Sequence, residues 1–465
     1  MKKIRMVFIA LFFVLLAVPV ATFNREKDVI SEIDNRKLME NPFEAVDEEG
    51  KVDVTNNLED YAQDRIGLRS EMITAYMNIN EVLFHEMVHP SYTWGKDRYV
   101  FFHPGDKLDF QEYHLVFAQM VKKVQDYCEE RGVPFFFVVE PAKMTVLQDK
   151  LADGICYDNS WLPKLEEELE RLGVNYIDNT DLLYEKTASG EMVFNKQYDA
   201  GHWNDLGAFY GTNHILEALS KIQEGVHVNT RDEFETGTEV MTVLPQSEFK
   251  IHDEVPVFTR KQEVEELTEQ YGAEVARNSQ YPYFEYTVNP ARKKEGAPKA
   301  LIFQGSYMNV YGAKFLENSF AEYIAVHDYQ NVMNLGYYFN IFQPDCVVFE
   351  VAEYAMLDDY FSFDTMKGME LNPALSSFDA LPQTEKKLAE DMLWVEEGNT
   401  LATVYAAGIN DSQYAYLEMN GKVFDLRKQE DGSFAAAVDK KELNLEKASI
   451  TVVTKENPKE KVVYK

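Results

Sequence analysis

Ala300-Leu301-Ile302-Phe303-Gln304-Gly305-Ser306-Tyr307 is an apolar run that breaks at a glycine and places a serine directly after it. An apolar run of this length, closed by a turn signal, reads as a buried strand. Where such a strand bends into a helix or turn, the residue at the bend is presented at the strand's carboxyl end, beside N–H groups that have no helical acceptor. Ser306 is therefore a candidate nucleophile. The second glycine of a GxSxG elbow is missing, and taken alone the segment reads as an ordinary turn.

The fold follows from what surrounds this strand. Upstream, Phe110 to Arg131 reads as a helix ended by Gly132, and Pro134-Phe135-Phe136-Phe137-Val138-Val139-Glu140 as a buried strand. Pro163 to Arg171 reads as a helix, Val174-Asn175-Tyr176-Ile177 as a strand and Ala208 to Leu219 as a helix. Downstream, Ala313 to Tyr323 reads as a helix and Cys346 to Val351 as a strand. This alternation predicts an α/β fold with a mainly parallel sheet flanked by helices, in which active groups gather at the carboxyl ends of strands. Between Glu224 and Pro298 the pattern loosens into an acidic, aromatic insertion or strand-rich flap, so the domain is expected over 91–385 with an insertion near 224–298. From Trp394 onward, short alternating runs separated by Gly-Asn and Asp-Gly turns predict a small C-terminal β-sandwich over 391–465.

The N-terminus carries Lys2, Lys3 and Arg5 ahead of an apolar run from Met6 to Phe23. This is the pattern of a signal peptide or signal anchor over 1–23, and the reading favoured is an uncleaved membrane anchor with the body of the protein outside the cytoplasmic membrane. Residues 24–90 read as a juxtamembrane linker and a helix, Leu58 to Phe84, that stops by Pro90. At its end His85-Glu86-Met87-Val88-His89 matches HExxH formally. The proline that follows and the absence of a third-ligand extension argue for two polar histidines at a helix end, so no metal is expected. Arg65 and Arg69 read as helix ion-pair residues, and Lys143 and His327-Asp328-Tyr329, near the active rim, first as surface or capping groups and second as substrate contacts.

Composition narrows the function. The 465 residues are 45% apolar and 13% aromatic, ample for a large core, and the formal net charge of −33 opposes binding to nucleic acid. Cys128, Cys156 and Cys346 form no metal knuckle or CxxC pair, and the sequence leaves a Cys128–Cys156 disulfide open. No cofactor signature is present.

The partner for Ser306 lies about a hundred residues upstream, in Tyr198-Asp199-Ala200-Gly201-His202-Trp203-Asn204-Asp205. An aspartate three residues before a histidine can hold one ring nitrogen and leave the other free as a general base. Asp199, His202 and Ser306 are thus a candidate catalytic set. The N–H groups of Ser306 and Tyr307 are candidate oxyanion donors, with Asn309 either a further donor or a polar cap. Trp203 is expected to pack against the turn and orient it, with a sugar platform for the substrate as the lesser reading.

The anchor, Asp64-Arg65-Ile66-Gly67-Leu68-Arg69, the strand segment Trp94 to Phe102, the DAGHWN cluster and the QGS turn occur in an order that resembles the SGNH-hydrolase-like proteins of the AlgX/AlgJ (alginate O-acetylation) and DHHW type, over roughly residues 55 to 380. On that resemblance His202 matches the family's histidine, Trp203 the aromatic after it and Ser306 the serine of the GDS-like turn. The chain departs in having Asp199 three residues before the histidine, where the family often has two, and Gln304-Gly305 in place of Gly-Asp. The resemblance implies an extracytoplasmic O-acyl, and specifically acetyl, transferase or esterase acting on a cell-surface polysaccharide. It also implies a membrane-bound O-acyltransferase as partner and a C-terminal unit that can bind glycan. The alternative is a non-catalytic glycan-binding or assembly component of the same fold.

Overall fold

The computed structural model describes the chain apart from residues 1, 28, 32–35, 40, 44–50, 52, 90, 104, 106–107, 246–248, 390 and 430. Pro90 and much of the linker reading therefore fall outside the described residues.

Seven strands form the central sheet: β1 Phe135–Glu140, β2 Tyr176–Asp178, β3 Glu265–Glu266, β4 Phe284–Val288, β5 Lys299–Gln304, β6 Glu322–His327 and β7 Cys346–Ala352. Their order is β2-β1-β7-β5-β6-β4-β3. The first five strands in that order are mutually parallel, whereas β4 runs antiparallel to both β6 and β3. The sheet is thus mixed: the parallel part that the sequence predicts carries an antiparallel edge. The cause is local: β4 lies inside the stretch read as an insertion, and it returns to pair with β6 instead of staying outside the sheet. Strand β6 was not expected, because Ala313–Tyr323 reads as one helix; the helix ends at Glu317, and Asn318 to Ala321 are buried in the turn before β6.

The sheet interior is apolar on both faces, as sheets covered by helices require. Phe137, Phe349 and Phe117 of the helix Glu112–Glu129 pack ring against ring, with centroids 5.2 to 6.1 Å apart. Cys128 is buried in this core and Cys156 is exposed; both are free thiols, so the disulfide that the sequence leaves open is not made.

The C-terminal unit is not two separate sheets. Eight strands from Gln383–Lys386 to Lys461–Tyr464 form one hydrogen-bonded series, and the strand Lys422–Lys428 turns the corner. Its first part pairs with Gln413–Met419, while Arg427 and Lys428 pair with Phe434–Asp439. The unit is held to the main body through Asp425, which accepts from Tyr127 Oη at 2.7 Å and Arg131 Nη2 at 3.1 Å. Glu274 accepts from the backbone N–H groups of Asn399, Thr400 and Leu401.

Near the N-terminus, α1 (Lys2–Ala21) is long and apolar enough to cross a membrane and is exposed over nearly all of that span. The single helix expected over 58–84 is two, α2 (Val54–Arg65) and α3 (Arg69–Phe84), broken at Ile66-Gly67-Leu68. Gly67 explains the break: its N–H donates to Pro19 O at 2.9 Å, and a Cβ there would lie 2.0 Å from Thr22. Among the described residues Arg65 makes no ion pair along its helix. Fully buried, it donates Nε to Met39 O at 2.9 Å and binds the Glu26 carbonyl, clasping the segment that leaves α1.

Candidate active site

Asp199 sits in the left-handed region with φ 67°, a conformation in which aspartate is among the better tolerated residues. This conformation folds its carboxylate back over the next turn. Oδ1 accepts from the N–H groups of Gly201 and His202, each at 3.0 Å, and Oδ2 lies 2.8 Å from His202 Nδ1. Tyr311 Oη adds a donor at 3.2 Å. Burial alone would raise this carboxyl, but the adjacent His202 and the two backbone donors outweigh it and hold Asp199 below the usual carboxylate range. On the other side of the ring, His202 Nε2 stands 2.8 Å from Ser306 Oγ. The structure therefore brings Asp199, His202 and Ser306 into one hydrogen-bonded line.

Ser306 follows β5 at the carboxyl edge of the sheet and opens a helical segment whose next turn, Met308–Gly312, is a π-helix. Such wide turns occur disproportionately at functional sites. Gly305 N–H is drawn inward to Glu350 Oε2 at 2.7 Å. A Cβ at 305 would lie 3.6 to 3.8 Å from the carboxylate oxygens of Glu350 and Asp328, two fully buried acids. An aspartate in the turn would bring a third carboxyl to them, which is a physical reason for glycine there. Burial, and then the neighbouring Asp328, push the Glu350 carboxyl well above its ordinary range.

Trp203 is buried completely, so it offers no face to a ligand. It lies across the helix Asp205–Ser220 where Gly207 and Gly211 leave room; a Cβ on Gly211 would fall 2.1 Å from its ring. Its Nε1 donates to Tyr307 O at 3.1 Å. Tyr307 is likewise buried, and its hydroxyl is shared by the carbonyls of Pro141 at 2.7 Å and Gly201 at 2.8 Å. Its side chain thus ties the histidine turn to the serine turn, and only its backbone N–H remains for a ligand. Asn309 does not cap a helix: its Oδ1 accepts from Gln304 Nε2 at 2.6 Å, which leaves the NH2 as its donor.

Several residues of the site escaped the sequence reading. Tyr354, just past β7, lies beside Tyr307 with ring centroids 6.3 Å apart, and burial raises its pKa. Asp253, in the hairpin Phe234–Val243/Lys250–Arg260, accepts from the N–H groups of Gln197 at 2.6 Å and Tyr198 at 2.8 Å, bracing the turn from outside. His327 and Asp328 are buried and pair with each other at 2.9 Å, so neither is a surface group. His85 caps α3 with φ 58° and His89 lies beyond the helix end, so the two do not share a helical face.

Lys143 is the largest departure from expectation. It is fully buried beneath the histidine turn, and its ammonium donates to the carbonyls of Val100 at 2.9 Å and Asp199 at 3.0 Å. Burial drives its pKa down to about 7, against the upward pull of Asp199 and Asp253. Between that value and the ordinary lysine range the unfolded chain binds a proton that the folded chain does not. Stability should therefore rise with pH across the window from about 7 to 10.5, with a limiting slope of about 1.4 kcal/mol per pH unit. Urea unfolding between these limits checks this: Lys143→Met should abolish that rise.

Comparison with known proteins covers part of the chain. Residues 94–280 match the family model described as SGNH hydrolase-like domain, acetyltransferase AlgX, a span that includes Asp199 and His202 and stops short of Ser306. No curated protein sequence matches the chain. Among solved structures it is similar to Bacillus cereus PatB1, at 17% identity and a TM-score of 0.44 over 57% of this chain and 97% of that one. The O-acetyltransferase domain of Pseudomonas putida AlgJ matches at 16% identity and a TM-score of 0.41, covering 61% of this chain and 100% of that chain. Pseudomonas aeruginosa AlgX matches at 14% identity and a TM-score of 0.40, covering 76% and 90%.

Proposed function

We propose, for a chain that carries an SGNH hydrolase-like domain of the AlgX type, that it transfers or removes an O-acyl group on a cell-surface polysaccharide, with acetyl the group the family's name indicates. Ser306 is the nucleophile, His202 the general base and Asp199 the group that orients and charges the histidine. The observation that carries this reading is the 2.8 Å contact between His202 Nε2 and Ser306 Oγ. A non-catalytic binding component has no need of that contact.

With Nδ1–H donated to Asp199, Nε2 is left to accept the serine proton as Oγ attacks the ester carbonyl. The developing oxyanion falls at the start of the helical segment, where the N–H groups of Ser306 and Tyr307 lack intrahelical acceptors and the Asn309 amide adds a side-chain donor. Collapse of the tetrahedral intermediate expels the first alcohol, protonated by His202, and leaves an acyl-serine. A sugar hydroxyl or a water then attacks it by the reverse proton path, and the acceptor decides between transferase and esterase. The protein is held outside the cytoplasmic membrane by α1, and a membrane-bound O-acyltransferase supplies the acyl group.

The test is to incubate the full-length protein with p-nitrophenyl acetate and soluble polysaccharide fragments, following acetate release and sugar acetylation together. Acetyl ester on the sugar selects transfer, free acetate alone selects hydrolysis, and neither product contradicts the reading.

A further inference from the structure

α3 has two apolar faces. Ile73 and Met77 pack inward on the cluster of Tyr92, Val100, Leu244 and Phe249, and Glu81 fixes the helix by accepting from Trp94 Nε1 at 3.0 Å. The other face carries Leu68, Met72, Tyr76, Ile79 and Leu83, spaced by four, four, three and four residues and each 43 to 65% exposed. At about 100° per residue these positions fall within a stripe about 80° wide. Arg69, Glu71 and Glu81 lie outside it. Leu68 departs from local preference twice, being exposed and in the left-handed region with φ 59°.

We infer that this stripe rests on the lipid bilayer, so that α3 lies in the membrane interface beside the exit of α1. The inference rests on the reading of α1 as an anchor. Its support is continuity. The end of α1 is in direct contact with the start of α3: Thr22 fills the space at Gly67, Gly67 N–H binds Pro19 O, and Asn24 N–H binds Arg65 O at 2.8 Å. The first residue of the stripe, Leu68, therefore stands where the apolar span ends. With its inner face spent on the protein core, α3 presents outward an uncharged apolar face that starts at that boundary, the kind of surface that settles into a bilayer interface. The net charge of −33 disfavours adhesion to an anionic surface by charge, which leaves apolar contact as the means.

The consequence reaches the site. Ala200, between Asp199 and Gly201, belongs to the same cluster that Met77 enters. One packed layer separates the membrane-facing helix from the histidine turn, so the site is held close to the bilayer, where an acyl group delivered through a membrane would emerge.

Photocrosslinking in the full-length chain tests this, with p-benzoylphenylalanine placed singly at Val14 in α1, at Ile79 and Leu83 in the stripe, and at Asn78 off it. Lipid adducts at Val14, Ile79 and Leu83, about five-fold or more above Asn78, are expected of an interfacial helix. Lipid adducts at Val14 with adducts to a second copy or to another protein at Ile79 and Leu83, or with none, overturn the inference and leave the anchor standing. No lipid adduct at Val14 removes the anchor reading, and the inference with it.

Discussion

Replacing Ser306 with alanine should lower turnover of an acetyl ester at least about 10³-fold, because no other hydroxyl holds the position of its oxygen beside a base. The nearby Tyr354 is no substitute, because burial pushes its phenol to a higher pKa. Stability should change by less than about 1 kcal/mol, since the substitution removes one half-buried hydroxyl and leaves His202 Nε2 to a water. Ester hydrolysis and thermal unfolding of the same preparation check both halves. The pairing matters, because loss of activity with loss of fold would say nothing about the serine.

Asp199→Asn should cost about 10³- to 10⁴-fold in kcat for a different reason. Asparagine tolerates the left-handed backbone at 199, and its carbonyl oxygen can still accept from the N–H groups of Gly201 and His202. Its amide NH2 then faces His202 Nδ1, and a donor facing Nδ1 selects the tautomer that carries its proton on Nε2. That nitrogen can no longer accept the proton of Ser306. The fold and the 2.8 Å spacing survive while the base is disabled, so ¹⁵N shifts of the His202 ring should report a changed tautomer alongside the lost rate. Unchanged kinetics would mean that Asp199 only shapes the turn.

Most of the sheet was legible because its strands are apolar runs longer than their turns: 134–140, 300–303 and 346–351 all lie in the central sheet. Strand β6 was not, since Ala313 to Tyr323 has helical spacing and the break after Glu317 is set by burial of Asn318, Ser319 and Phe320 rather than by a local breaker. The antiparallel return of β4 depends on its pairing with β6, a tertiary choice that periodicity does not carry. The line of Asp199, His202 and Ser306 was legible because each residue sits in a turn with chemical character of its own. Lys143, Glu350 and Asp253 were hidden for the opposite reason. They act on the site through partners tens of residues or more away in sequence, and nothing in their neighbourhoods distinguishes a buried brace from a solvated charge. Gly67 belongs with them: the sequence reading runs one helix through it, and its role appears only with Thr22 packed against it.

The central claim, that Ser306 takes the acyl group with His202 as its base, is tested most directly by trapping the acyl-enzyme. The full-length protein would be mixed with p-nitrophenyl acetate, quenched in acid, digested and mapped by mass spectrometry. The account predicts one acetyl group on the peptide containing Ser306, absent from Ser306→Ala and strongly reduced in His202→Ala. An unmodified Ser306 peptide during turnover, or equal labelling of the His202→Ala variant, would contradict it.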